Sequence, residues 1–332
     1  MRRWLRWLLL LALGAGVVWA VRNHREFLTN GAHALREATP AGVATAALCS
    51  LACLFAMAEV MRHILGAGQV RVARCRTMSL TLAANAWSVT LPAGAAIATV
   101  LQFTTMRRWG ASTILTSLFV ALSGAISTMW LIALGVLAMV FLGASFSLWS
   151  ILGSLALMGA LALLLYWLAR HPQALARLVR RVLPRGGFAD MVLSHIEQLT
   201  AVRLTPWQFA RISMWSLANR LLELAALAVS VWAVTGWFPW SSHELNHATF
   251  AGVLLAFVTA KIVGTAQFTP GGVGPIEGAL IATLVASGMT AAEAFAAVVV
   301  YRMITLVAAA ALGWVVYAAS EYPRTAAAPA SE

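Results

Sequence analysis

The chain has 332 residues, 61% of them hydrophobic and 10% charged, with a formal net charge of +12. Soluble domains average about half apolar and a quarter charged, so an ordinary soluble enzyme is excluded, and so is a disordered chain, which needs low hydrophobicity and high charge. At roughly 20 residues per bilayer crossing, the apolar content suits a polytopic membrane protein.

The positive charge lies in short clusters beside apolar runs, where it orients helices in a membrane, so no nucleic-acid partner is expected. Arginine supplies 22 of the 23 basic residues, and Lys261 is the single lysine. Cys49 and Cys53 sit one helical turn apart in an apolar run and Cys75 stands alone in a basic stretch. They read as small buried hydrophobes, with no disulfide, metal or other cofactor expected.

The first apolar run, 5–21, follows Arg2, Arg3 and Arg6 and reads as an uncleaved anchor helix. A mixed-charge stretch leads to a second helix over 41–65, followed by Arg71, Arg74 and Arg76. The apolar run 78–106 is interrupted at Leu91-Pro92-Ala93-Gly94. Proline removes a backbone donor and glycine permits positive φ, so the helix should break there. Arginines flank this run on both sides, which predicts a re-entrant hairpin with its mouth in the cytoplasm rather than a crossing. Crossings are predicted over 112–143 and 148–169, and the densest basic stretch, 170–206, carries a leucine and valine stripe suited to a short interfacial helix. The next crossing, 207–236, ends in Trp237 and Trp240 and a loop without Lys or Arg, the mark of an exterior belt. Residues 250–288 are again apolar and again broken, at Pro270-Gly271-Gly272-Val273-Gly274. A last crossing over 291–319 precedes an Ala/Pro tail, 321–332, expected to be disordered.

The two breaks correspond. Pro92 precedes the crossing at Ser112 by 20 residues, and Pro270 precedes Thr290 by the same interval. Three crossings separate the hairpins, and that odd number inverts one relative to the other. The predicted fold is therefore an all-α polytopic membrane protein. It has about six full transmembrane helices and two oppositely oriented re-entrant hairpins in an inverted repeat, with both termini cytoplasmic. The first repeat is expected over 1–147 and the second over 148–320. Broken segments in corresponding places of two inverted halves point to a transporter site at mid-membrane, with hairpin breaks at Pro92, Gly94, Pro270, Gly271, Gly272 and Gly274.

Ionisable groups at bilayer depth are costly and are functional candidates by default. Arg220 and Glu223 lie three apart on one helix face, close enough to pair. Lys261 and Glu277 lie on the two arms of the second hairpin, and Arg302 follows Tyr301 a third of the way along the last helix. Three cations and two carboxylates around a broken backbone suit a phosphate headgroup, and the retained lysine suits a compact ammonium. Internal ion pairs that join helices are the structural alternative. Glu59 lies nearer a helix end and is expected only to snorkel. His243-Glu244-Leu245-Asn246-His247 matches H-E-x-x-H, two zinc ligands one turn apart with a catalytic glutamate. It sits at an interfacial belt without a third ligand at protease spacing, and Ser241 with Glu244 also forms a capping box.

The segment Pro270-Gly271-Gly272-Val273-Gly274-Pro275-Ile276-Glu277, with Ala291-Ala292-Glu293-Ala294 and Tyr301-Arg302 beyond it, resembles the membrane region of the lysylphosphatidylglycerol synthetases, the flippase-like family. The resemblance is looser over the first half, around residues 85–110. It implies a bacterial inner-membrane protein linked to moving lipids, with Glu277 and Arg302 as site residues. Relatives carry charges after the first break and in the following helix, where this chain has Ala95 to Ala98 and Ser123-Gly124. The arginine that often precedes the family's glutamate is Ile276 here. Nothing in these 332 residues corresponds to the aminoacyl-transferase domain of the fused synthetases, so synthesis of lysyl-lipid is not expected.

The expected function is a lipid flippase rather than an enzyme, moving a phospholipid, aminoacyl-phospholipid or polyprenyl-phosphate lipid, with membrane lipids as its partners. The second reading is a non-transporting scaffold or regulator of a membrane glycosyltransferase or lipid synthase. The third, a membrane metalloprotease, depends wholly on His243, Glu244 and His247.

Overall fold

A computed structural model describes residues 36–91, 93–143, 204–239, 248–265 and 269–320. Every regular element among them is helical. We number them α1 (Pro40–Ala67), α2 (Arg74–Thr90), α3 (Gly94–Arg108), α4 (Thr113–Gly143), α5 (Pro206–Thr235), α6 (Phe250–Thr265), α7 (Pro275–Ala286) and α8 (Ala291–Ala319). Four of these, α1, α4, α5 and α8, are long and apolar enough to cross a bilayer, while α6 and α7 are shorter apolar helices. The crossings expected over 5–21 and 148–169 lie outside the described residues, as do the basic stretch up to residue 203 and the tail.

Sequence chemistry accounts for the boundaries. Thr205 and Gln208 satisfy each other's backbone N–H groups at the start of α5, and the Thr290 hydroxyl accepts from the Glu293 N–H at the start of α8. Pro206 and Pro275 each open a helix, where a missing N–H costs nothing. The basic stretch around Cys75 is the first turn of α2, and that cysteine, expected to be buried, is exposed, whereas Cys53 is buried.

Both expected breaks are present. α2 stops at Thr90 and α3 begins at Gly94. α6 stops at Thr265 and α7 begins at Pro275, with a single 3₁₀ turn, Pro270–Gly272, ahead of it. The glycine reasoning needs one correction at the first break. Ala93, not Gly94, takes the left-handed conformation, with φ of 53°. Gly94 is needed for closeness: a Cβ there would collide with the carbonyl oxygens of Trp87 and Ser88. At the second break the expectation holds, with φ of 62°, 67° and 97° at Gly271, Gly272 and Gly274. Pro92 lies outside the described residues.

The chain gathers into two compact units, each discontinuous in sequence. The first takes the described residues of Met1–Ser50, Leu82–Ala98 and Ala225–Glu332, and the second those of Leu51–Thr81 and Thr99–Leu224. In the first unit, small and β-branched residues pack α1, α5 and α8 together: Ala46 of α1, Val229 and Ala233 of α5 and Val299, Val300 and Ile304 of α8 form one buried cluster. Small residues let helix backbones approach closely, which is how helices associate where no hydrophobic effect separates them from lipid. In the second unit, polar side chains bond backbone carbonyls across helices. Trp130 Nε1–H donates to the Ser213 carbonyl at 3.1 Å and Asn219 Nδ2–H to the Cys53 carbonyl at 2.9 Å.

Candidate functional site

The broken backbone ahead of α7 builds the first site. With three glycines in left-handed conformations, the turn cannot close the usual helical hydrogen bonds, and side chains replace them. The Thr269 hydroxyl donates to the Val273 carbonyl at 2.7 Å. Glu277, in the first turn of α7, accepts from the Gly274 N–H at 2.6 Å. Its other carboxylate oxygen accepts from Nε of Arg302 on α8. Arg302 also donates through Nη2 to the Gly271 carbonyl at 2.6 Å. One guanidinium thus ties α8 both to the turn inside the break and to the helix that follows it. Glu277 and Arg302 are only 8% and 7% exposed, so this is a buried charge pair.

Arg302 stands eleven residues into α8, about 16 Å along a helix of roughly 43 Å. Directly after it, Met303–Ala308 winds as a π-helix, with Ala309 N–H reaching back to the Ile304 carbonyl. Single π turns inside α-helices recur at functional sites. Tyr301, the other half of the expected pair, is buried, and its carbonyl accepts from the Thr305 hydroxyl at 2.8 Å.

The two breaks meet inside the first unit. A Cβ on Gly271 would lie 2.8 Å from the Val89 carbonyl oxygen on α2 and 2.8 Å from Leu306 on α8. Farther along the same helices, Gly313 of α8 lies against the Leu82 carbonyl and Ala86, and Trp87 stacks on Trp314 at 6.0 Å with Tyr317 edge-on at 5.3 Å. The Nε1 groups of both tryptophans and Nδ2 of Asn85 are buried without a hydrogen-bond partner. Lys261 on α6 is half-buried, with Nζ 5.6 Å from the Phe257 ring one turn back.

The second unit carries the other expected pair. Arg220 and Glu223 form an ion pair at 3.3 Å, and Arg220 also donates to the Ser127 hydroxyl at 2.5 Å, while its Nε is buried without a partner. Lys261, Glu277, Tyr301 and Arg302 belong to the first unit, and Arg220 and Glu223 to the second.

Glu59 overturns its expectation. Rather than snorkelling, it is 1% exposed and gathers three basic groups. Arg62 Nε donates to both its oxygens, at 3.1 and 2.9 Å, Arg74 Nε approaches at 3.1 Å, and His63 Nε2 lies 3.6 Å away. Covered by Arg62, His63 and Arg74, the carboxylate is compensated by these basic groups rather than by water. The E-x-x-R-H spacing of Glu59, Arg62 and His63 already placed three of these groups on one face. The Arg74 contact, from the next helix, had no local signal. His243, Glu244 and His247 lie outside the described residues, among which no group of three or more His, Cys, Asp or Glu could hold a metal.

A broken helix pair, glycine-lined, bound to a long apolar helix through a buried Glu–Arg pair is the arrangement the P-G-G-x-G-x-x-E and Tyr-Arg motifs encode. The chain belongs to the family described as the lysylphosphatidylglycerol synthase TM region, which it matches over residues 7–313. It is a multi-pass membrane protein of a family tied to lipid metabolism. None of the curated proteins matches the chain.

Proposed function

We propose that this protein moves a lipid with an anionic or zwitterionic headgroup across the bacterial cytoplasmic membrane, its two broken segments being re-entrant hairpins of opposite orientation in an inverted repeat. The observation that carries the reading is the Glu277–Arg302–Gly271 tie: a buried charge pair joined to an unwound backbone, well inside an apolar helix. A merely structural helix join would use small residues, since a buried ion pair gains little over apolar packing. A headgroup phosphate, however, needs an arginine whose existing partner can be exchanged. In this reading the phosphate displaces Glu277 from Arg302, with Lys261 of the same unit as a further cation, and Glu277 then holds the headgroup amine where one is present. Exchange of one anion for another at a buried guanidinium keeps the charge compensated at each stage. The termini face the cytoplasm, and the partners are membrane lipids.

The test is scrambling of a fluorescent phosphatidylglycerol analogue in proteoliposomes. Lys261→Gln should abolish transport while yield and solubility are kept, and Arg302→Gln should abolish it in the folded fraction recovered by size exclusion. Unchanged scrambling in both would overturn the site.

A second reading is a non-transporting membrane platform for a lipid synthase or glycosyltransferase. Two observations favour it: the family is described by the membrane region of a synthase, and both oxygens of Glu277 already have protein partners. Co-purification of such an enzyme, with no transport by the protein alone, would support it.

A further inference from the structure

The Glu59 cluster lies within the second unit and takes no part in the site just described. Its residues come from the ends of three helices. Glu59, Arg62 and His63 are in the last turns of α1, Arg74 is the first residue of α2, and Arg211 lies in the second turn of α5. Helix ends of membrane spans lie at headgroup depth, and here Trp207 marks that level: it is 70% exposed, with the Arg211 guanidinium 5.6 Å from its ring centre. Arg62, Arg74, Arg211 and Glu59 are the charges that act on His63. Arg62 and Arg74 contact the Glu59 carboxylate, and Arg211, which acts on His63, adds a third positive charge to the cluster.

Membrane orientation alone does not explain this. The positive-inside effect counts basic residues near helix ends and is hardly altered by acids, so it gives no reason for a buried carboxylate among them. What Glu59 adds is position. It holds Arg62 by a two-pronged contact and Arg74 by Nε, while Arg74 remains 66% exposed with its terminal N–H groups beyond the contact to the acid. Planar guanidinium forks held in fixed geometry match the oxygens of a phosphate, and basic pockets between membrane helices bind anionic headgroups.

We propose that Glu59 is a buried template that sets Arg62 and Arg74, together with Arg211, as a binding site for the phosphate of an anionic membrane lipid. Glu59 is a positioning residue; the arginines touch the lipid.

The experiment titrates the purified full-length protein in detergent with phosphatidylglycerol, read by native mass spectrometry, with phosphatidylcholine and inorganic phosphate as separate arms. Arg74→Gln and Arg211→Gln should each weaken phosphatidylglycerol binding roughly tenfold, as loss of one charge-assisted contact does. Arg71→Gln, an exposed arginine outside the group acting on His63, should leave binding unchanged. Glu59→Gln decides the mechanism. A diffuse basic patch would bind the anionic lipid more tightly when an acid is removed, whereas a templated site binds it more weakly because its arginines lose their anchor. Tighter binding by Glu59→Gln, or an equal loss in Arg71→Gln, overturns the proposal. Inorganic phosphate binding as tightly as the lipid would overturn the lipid assignment. The two exposed-arginine variants leave the Arg62–Glu59 contact in place, so they still test the site if Glu59→Gln proves unstable.

Discussion

Removing the charge from Glu277 while keeping its shape should be among the most damaging single changes in the protein. In Glu277→Gln, Arg302 keeps the Gly271 carbonyl but loses its only carboxylate contact among the described residues, at a position 7% exposed. Breaking a buried ion pair from one side costs about 3–5 kcal/mol, because the remaining charge stays desolvated. Arg302→Met leaves the Glu277 carboxylate with only the Gly274 N–H and should cost a similar amount. The double variant removes both charges, and a neutral pair of similar volume recovers most of the loss. The two single effects should therefore fail to add by about 3 kcal/mol, the upper range for contacting residues. Unfolding of all four proteins in mixed dodecyl maltoside–SDS micelles, followed by tryptophan fluorescence, measures this cycle. Additivity within about 0.5 kcal/mol would refute the coupling and with it the idea that Arg302 is held by Glu277.

Three further outcomes follow from the glycines. Gly271→Ala should cost about 2 kcal/mol or more, since a left-handed alanine is strained by 1–2 kcal/mol and its Cβ would press on the Val89 carbonyl. Gly278→Ala, helical and with open space around its Cβ position, should be neutral or stabilise by about 0.5–1 kcal/mol. The same micelle assay separates them, and equal effects would show that the break is not sterically set. Gly313→Val should destabilise by about 1–3 kcal/mol, since the new atoms would meet the Leu82 carbonyl and Ala86. Unaltered stability there would mean that α2 and α8 do not pack closely.

Helix positions were legible because they depend on local chemistry. The spans expected over 41–65, 112–143, 207–236 and 291–319 differ by no more than two residues at either end from Pro40–Ala67, Thr113–Gly143, Pro206–Thr235 and Ala291–Ala319. Long apolar runs must be helical in a bilayer, and prolines and glycines must interrupt them, so composition along the chain suffices. The i,i+3 pairing of Arg220 with Glu223 was legible for the same reason, since it follows from helical spacing.

What the sequence could not supply is which groups meet across helices. Lys261, Glu277, Arg302 and Arg220 look alike in one dimension, each an ionisable residue in an apolar run. Only packing selects Arg302 as the partner of Glu277, adds the Gly271 carbonyl, and gives Arg220 the Ser127 hydroxyl from 93 positions away. Glu59 makes the same point in reverse. Its place near a helix end suggested exposure, yet Arg74, brought over by the turn into α2, helps make it one of the most buried charges described. Apolar periodicity and the bilayer fix where a helix runs. Which buried charge is compensated depends on distances of a few ångströms between segments far apart in the chain, and those exist only once the helices have packed.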